Sequence, residues 1–331
     1  MSMTAQPAPL ESRLPGARDF LHRYLRESSV AVAYLLLLAI LAIFHPAFFR
    51  AEFRETWVSA AAVLVAAVGM TLVILAREID ISIGSQFSAC GIIAGTLAQA
   101  GLPMPLVLAG TIAAGGAMGA INGGLVAGLR LPSIVVTLAT MVIIRGALLW
   151  ITQGAATHLP PGFQWFGQSQ ATGQILIVLI ALIIFSGFAW ALKWLAAGRA
   201  VYAVGSDAEA ARLAGIRPRR VVFWVFVIMG MLAGLASLLN ASQFVMIYPN
   251  SGEGLELQVI AAVVVGGTAI SGGRGNLIGT LLGVALLTTI GPALVFVHAH
   301  VNALGSQWAK AIQGLVILAA VSSDALARRA E

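Results

Sequence analysis

The chain has 331 residues, of which 59% are hydrophobic and 10% charged, against roughly 25% charged in soluble domains. That balance excludes a soluble globular protein and specifies an integral membrane protein. The net charge of +6 does not point to nucleic acid, because the basic residues lie between apolar runs, where they orient spans.

Residues 1–27 are polar and carry Arg13, Arg18, Arg23 and Arg26. No small-residue cleavage site closes the apolar run that follows, so this segment reads as a tail before an uncleaved first span. A span needs about 20 mainly apolar residues. The pattern predicts an all-α polytopic membrane protein with about ten transmembrane helices, near 28–49, 56–76, 82–101, 104–128, 132–152, 174–196, 219–241, 256–271, 276–297 and 303–322. One membrane domain at 28–322 and a tail at 323–331 complete the expected organisation. With the N-terminus cytoplasmic, the inner loops and tails receive fifteen basic residues, from Arg13 through Arg77, Arg130, Lys193, Arg199, Arg212 and Arg274 to Arg329. The outer loops keep Arg50 and Arg54. That asymmetry predicts both termini in the cytoplasm. The outer loops near 153–173 and 242–255 hold His158, Trp165, Glu253 and, at the boundary, Glu256, and are too small to form folded domains.

Arg77-Glu78-Ile79-Asp80-Ile81-Ser82-Ile83-Gly84 is the densest charged cluster at a membrane boundary, where ionisable residues are costly and tend to be functional. Asp80 and Ser82 are also good helix caps, which gives the cluster a purely structural alternative. Gly115, Gly119 and Gly123 recur every four residues and predict a face on which helix backbones touch. Asn122 beside them needs a polar partner or a polar solute. Pro132 opens the next span. Thr137 and Thr140 share one face of it, although hydroxyls in lipid helices commonly bond back to their own backbone. Arg145 lies about 13 residues, or roughly 20 Å, into this helix, where it must snorkel, pair with an acid or face water. Asn240 is a further polar candidate for the solute's path, and Lys310 raises the same question as Arg145.

The one long polar stretch between spans runs from Arg199 to Arg220. Ser206 and Glu209 have capping-box spacing, Gly215 suits a left-handed stop, and Pro218 blocks continuation. A short cytoplasmic helix carrying Asp207, Glu209 and Arg212 follows from that pattern. The segment Gly266–Asn276 interrupts the eighth span much as Arg77–Gly84 follows the second, and such interruptions mark transporters built from repeat halves. His298 and His300 lack a nearby acid and make no metal site. The lone Cys90 excludes an intrachain disulfide. No P-loop, His-Glu-x-x-His or Gly-x-Ser-x-Gly pattern occurs, so the chain offers no catalytic residues and no nucleotide site of its own.

Four blocks carry a family resemblance. Glu78–Gly84 resembles the G-I-D-[LI]-S-[VI]-G signature of ribose-type sugar ABC importer permeases. Pro132–Met141 with Arg145-Gly146 resembles their P-S-[FI]-[IV]-V-T-L-G-T-M…R-G segment. Gly198–Ile216 resembles their G-R…A-[IV]-G-x-N-x-x-A-A-x-[LY]-S-G-I loop, with Asp207 where Asn is common. Val259–Gly275 resembles their V-I-A-A-V-V-[IL]-G-G-T-S-[LI]-x-G-G-x-G stretch. Arg77-Glu78, where the family more often has Gly-Gly, is similar to the rhamnose and autoinducer branches.

The resemblance implies a fold of the type II ABC-importer kind and a dimeric channel formed with a second permease copy or a sister permease. It also implies two cytoplasmic ABC ATPase subunits that carry ATP and magnesium, and a periplasmic sugar-binding protein. On it, 199–216 becomes a coupling helix. Asp207, Glu209 and Arg212 make its polar contacts, Leu213 is an apolar anchor, and Ser206 and Gly215 bound it. The expected function is import of a monosaccharide, a pentose or deoxyhexose with a rhamnose-like sugar favoured. Ribose or an autoinducer-type furanose is the alternative sugar. Asp80, Ser82, Asn122, Thr137, Thr140, Arg145 and Asn240 are the candidate solute path. A branched-chain amino acid permease, an ion-coupled secondary transporter and a membrane-embedded enzyme are the rival classes. The transporter rival would want acids at mid-membrane, and the acids here are expected at boundaries.

Overall fold

The computed structural model describes the backbone of residues 17–301 and the side chains of 29–297, with isolated positions 311, 314, 315 and 318 beyond them. Apart from those positions, the expected span at 303–322, Lys310 and the tail 323–331 lie outside the described residues. So do the side chains of His298 and His300.

The helices are α1 (Ala17–Phe44), α2 (Ala47–Ala51), α3 (Phe53–Leu75), α4 (Ile83–Gln99), α5 (Met104–Gly123), α6 (Ser133–Thr152), α7 (Gln170–Trp194), α8 (Ala196–Ser206), α9 (Ala208–Leu213), α10 (Pro218–Ala241), α11 (Leu255–Val265) and α12 (Leu277–Val301). A π turn, Gly124–Gly128, extends α5. Two-residue strands, β1 (Thr157–His158) and β2 (Met246–Ile247), pair antiparallel and tie the 153–169 and 242–254 loops together. The chain is an all-α polytopic membrane protein, and six of its described helical segments are long and apolar enough to cross a bilayer.

These six match the expected spans at 56–76, 104–128, 132–152, 174–196, 219–241 and 276–297. α1 and α4 occupy two more. The eighth expected span, 256–271, is corrected: α11 has 11 residues, about 16 Å of rise against a hydrocarbon core of about 30 Å. The expected run is already short for a span at 16 residues, and Gly267, Gly272, Gly273 and Gly275 take positive φ. The chain after Val265 therefore leaves the helix for a tight loop.

α3 forms the centre, with 94% of its most apolar window buried, and α7, α10, α11 and α12 pack around it. α5 lies along α10 through the expected glycine face. An added Cβ at Gly115 would stand 2.2 Å from the Gly230 carbonyl oxygen, and one at Gly119 would stand 2.2 Å from that of Phe226. Only glycine permits this approach. α6 and α7 are the open elements, with 17% and 22% of their windows buried.

Arg77, Arg130, Lys193, Arg199, Arg212, Arg217, Arg219, Arg220 and Arg274 all fall at the turns and helix ends on one side of the bundle. This Arg-rich end is where α3, α5, α7 and α11 finish and α4, α6, α10 and α12 begin.

Candidate functional site

The segment after α3 enters the bundle as extended chain before α4 begins. Ile79 donates its N–H to Ser133 Oγ at 3.2 Å, and Asp80 and Ser82 are both fully buried. Ser82 donates its hydroxyl and its N–H to Asp80 Oδ1 at 2.5 and 2.9 Å. Gln86 Nε2 reaches Asp80 Oδ2 at 3.1 Å and Ser82 Oγ at 2.7 Å, while Asn122 Nδ2 donates to Ser82 Oγ at 2.8 Å. Asp80 thus caps the backbone of Ser82 in a short local turn, and Ser82 Oγ, which accepts from Gln86 and Asn122, accepts no amide of α4.

Three of the expected path residues, Asp80, Ser82 and Asn122, therefore form one buried network. The sequence reading missed Gln86. Its spacing of four from Ser82 places both on one helix face and was the available signal. The network is rich in acceptors: Gln86 Oε1 and Asn122 Oδ1 are buried without a partner.

Thr137 joins this region from α6, bonding Ser133 O at 2.8 Å and Ile79 O at 3.4 Å. The Thr140 hydroxyl bonds back to Thr137 O at 3.2 Å, the structural alternative for a lipid-helix hydroxyl. Asn240 is not part of the network. It sits half-buried near the opposite end of α10, where its carbonyl accepts the Gln243 N–H at 3.1 Å.

Arg145 pairs with an acid. Its guanidinium lies 3.9 Å from Glu256 Oε1, which corrects the placement of Glu256 at the edge of an outer loop. The 248–254 loop dips into the bundle until Gly252 meets the start of α4. A Cβ on Gly252 would stand 2.0 Å from the Gly84 carbonyl oxygen, and the Gly252 N–H donates to Ser88 Oγ at 2.9 Å. A Cβ on Gly84 would in turn stand 2.2 Å from Glu256 Oε2. α11 therefore starts deep in the bundle and runs only to the Arg-rich end. Of the two interrupted segments expected from sequence, Arg77–Gly84 takes part in this crossing, while Gly266–Asn276 meets that segment at its other end, where a Cβ on Gly272 would stand 2.7 Å from the Arg77 Cβ. Glu256 Oε2 is buried and unpartnered, and Oε1 has only Arg145 and a 3.4 Å contact from the Gly254 N–H. An acid held this loosely keeps acceptor capacity for a further donor.

The polar stretch 199–220 forms two helices. Ser206 is the last residue of α8, and Asp207, extended at φ −157° and ψ 107°, is the N-cap of α9. Asp207 Oδ1 accepts the N–H groups of Glu209 and Ala210 at 2.9 and 3.0 Å. The Ser206–Glu209 capping box is thus corrected to an Asp207 cap. A carboxylate on extended backbone reaches the free amides, whereas Ser206 is still helical. Glu209 instead pairs with Arg212 through two bonds of 2.5 and 3.0 Å. Gly215, at φ +86°, stops α9 as expected, with the Ile216 N–H on Ala211 O at 3.0 Å. Leu213 is 78% exposed, as a docking anchor requires.

The two amides hold the Asp207 carboxyl below the usual carboxylate range. A depressed acid stabilises the fold at any pH above its ordinary value, and the contribution disappears as pH falls through the lowered one. Asp207→Ala is expected to remove amide protection across Ala208–Leu213 in hydrogen exchange at neutral pH. Asp207→Asn keeps an acceptor and is expected to retain protection without the loss in acid.

α8 is joined to the rest through backbone. A Cβ on Gly205 would lie 1.7 Å from the Leu75 carbonyl oxygen and 2.7 Å from the Gly273 nitrogen. The Gly273 N–H donates to that same Leu75 oxygen at 3.0 Å. This joint connects α8 to the end of α3, five residues before Asp80, and to the loop that follows α11. The sequence reading did not single out Gly205, although its place just before the α8–α9 break marked it.

No solved structure matches the chain. It is 36% identical over 307 residues to the autoinducer 2 import system permease protein LsrC of Enterobacter sp. (strain 638), covering 92% of this chain and 88% of that one. It is 34% identical over 321 residues to the ribose import permease protein RbsC of Escherichia coli (strain K12), covering 93% of this chain and 97% of that one. LsrC of Photorhabdus luminescens is 34% identical over 307 residues, covering 90% and 89%. The family described as the branched-chain amino acid transport system / permease component matches residues 54–321. With buried polar crossings inside a bundle of apolar helices and these relatives along nearly its whole length, the chain belongs to that permease family.

Proposed function

We propose that this chain is the membrane-spanning subunit of a bacterial ATP-driven importer for a monosaccharide, lying in the inner membrane with both termini in the cytoplasm. The single observation that carries this reading is the end-to-end similarity to permeases named for ribose and autoinducer 2. Among the sugars considered, those names favour ribose or an autoinducer-type furanose over a rhamnose-like sugar. In this reading α9 is the coupling helix. Leu213 seats in an ATPase subunit, Asp207, Glu209 and Arg212 frame it, and Ser206 and Gly215 set its limits. ATP and magnesium belong to that partner, a periplasmic binding protein delivers the sugar, and a second permease copy or a sister permease completes the channel. The joint at Gly205 ties α8, which leads into α9, to the end of α3, which leads to Asp80, so movement of the ATPase would reach Asp80, Ser82 and Asn122 without an intermediary domain.

Reconstitution with its ATPase and binding protein provides the test. Leu213→Asp and Gly215→Val are expected to abolish ATPase co-purification and sugar uptake while the permease stays folded. Intact docking and uptake in both variants would refute the coupling assignment. A second reading has support from one observation: Asp80 and Glu256 are both buried, as the acids of an ion-coupled transporter would be. Uptake by the chain alone, driven by an ion gradient without ATPase, would establish that reading. Branched-chain amino acids, named in the family description, are the substrate class to compete against the sugar.

A further inference from the structure

A cleft of about 780 Å³ opens at the Arg-rich end, bounded by the turn after α3, the end of the π turn, α8–α9 and the start of α10. Arg77, Arg130, Arg212 and Arg219 line it, against two carboxylates, Glu78 and Glu209. Glu209 is committed to Arg212 by two hydrogen bonds. Among the described residues, Arg77, Arg130 and Arg219 have no carboxylate within 4.0 Å. The cleft therefore gathers three guanidiniums outside any ion pair of 4.0 Å or less, with Glu78 and Asp207 acting on Arg77 from farther away.

Two further features point to an anion. Arg77 and Arg130 take φ of +68° and +59°, in the left-handed position after a helix where glycine is the usual residue. A turn alone would be served more cheaply by glycine; a strained residue is kept where its side chain has a use. The third guanidinium stands at the first turn of α10, a 24-residue helix whose N-cap, Arg217, makes no side-chain cap bond. The start of that helix adds the positive potential of its dipole, although Pro218 carries no N–H and the Arg220 N–H is given to Arg217 O. The rest of the wall is apolar, from Val126, Ala127, Val204 and Val222, with Leu131 43% exposed at the cleft. A basic pocket between membrane helices with an apolar wall suits an amphiphile with a phosphate group.

We propose that this cleft binds the phosphate of an acidic phospholipid headgroup. The lipid would bridge α9 and the turn that leads to Asp80, whatever solute the permease carries. Phosphate chemistry is shared by free phosphate, and the apolar wall favours the lipid.

The test uses the full-length chain in mixed micelles with graded phosphatidylglycerol or phosphatidylcholine, with retained lipid counted by native mass spectrometry. Wild type is expected to retain phosphatidylglycerol selectively. Arg77→Gln, Arg130→Gln and Arg219→Gln combined are expected to weaken retention by about tenfold or more, while phosphatidylcholine retention is unchanged. The corresponding lysine variants preserve charge and are expected to keep much of the retention. They, with the single glutamine variants, carry the test if the triple variant does not fold. Equal retention of the two lipids by wild type, or unchanged selectivity in the glutamine variants, overturns the proposal. Tight binding of inorganic phosphate that eliminates lipid selectivity overturns the lipid as the source.

Discussion

Replacing Glu256 with alanine is expected to stop uptake and to cost about 3 kcal/mol of stability. Arg145 would be left deep in α6 without its acid, and breaking a buried pair costs about 3–5 kcal/mol. The lower end applies because the contact is 3.9 Å long and the Arg145 side chain keeps 28% of its surface exposed. Cys90, the one cysteine, is buried between α4 and α5, so the rate of labelling by a thiol-reactive dye during heating reports unfolding directly. A second variant separates packing from transport. Arg145→Leu with Glu256→Leu removes both charges and is expected to recover most of the lost stability, since apolar replacement of a buried pair is often neutral or better. Uptake is expected to remain at least about tenfold down, the rate equivalent of about 1.4 kcal/mol. Normal transport by the double variant would reduce the pair to a packing element.

The Gly205 joint has an equally large expected effect of a different kind. Alanine at this position would bring a methyl carbon to 1.7 Å from the Leu75 oxygen, so α8 or the end of α3 must shift. The partners are main chain and cannot rotate away as a side chain could. Gly205→Ala is expected to leave the ATPase bound, because the outer face of α9 is untouched, and to disconnect hydrolysis from uptake. Gly187→Ala on α7 is the control: nothing lies within 4 Å of the added carbon. The measurement is the ratio of sugar transported to ATP consumed in proteoliposomes. A wild-type ratio in Gly205→Ala would show that the joint transmits nothing.

Most of the helical frame was legible because apolar runs of span length leave few alternatives in lipid, and the Gly115–Gly119–Gly123 face was legible because its period of four has one main use. Gly215 was legible for the same local reason. What escaped was long-range. Glu256 looks like an outer-loop acid until Gly252 is seen to dip against Gly84, a contact between positions 168 residues apart. The glycine interruption after α11 was legible, but not where the helix stops: it ends at Val265, six residues before the expected limit. Ser206 and Asp207 are both good caps, and their order is decided by where α8 stops. Tertiary packing against Leu75 and Gly273 sets that point, not either residue's own preference.

The contact of α5 with α10 has a mechanical consequence. At Gly115 and Gly119 the carbonyl oxygens of α10 rest where side chains would otherwise stand. Neither helix can slide along the other without lifting its backbone over the ridge opposite. The pair is a rigid body, and α3, buried against α10, rides with it. α6 and α7, which keep most of their surface open, lie outside that frame, and α6 is held by polar contacts at Ile79, Ser85 and Arg145 and by packing on α4, α5 and the π turn. Any relative motion of helices in this subunit is expected at those two elements and not inside the locked frame.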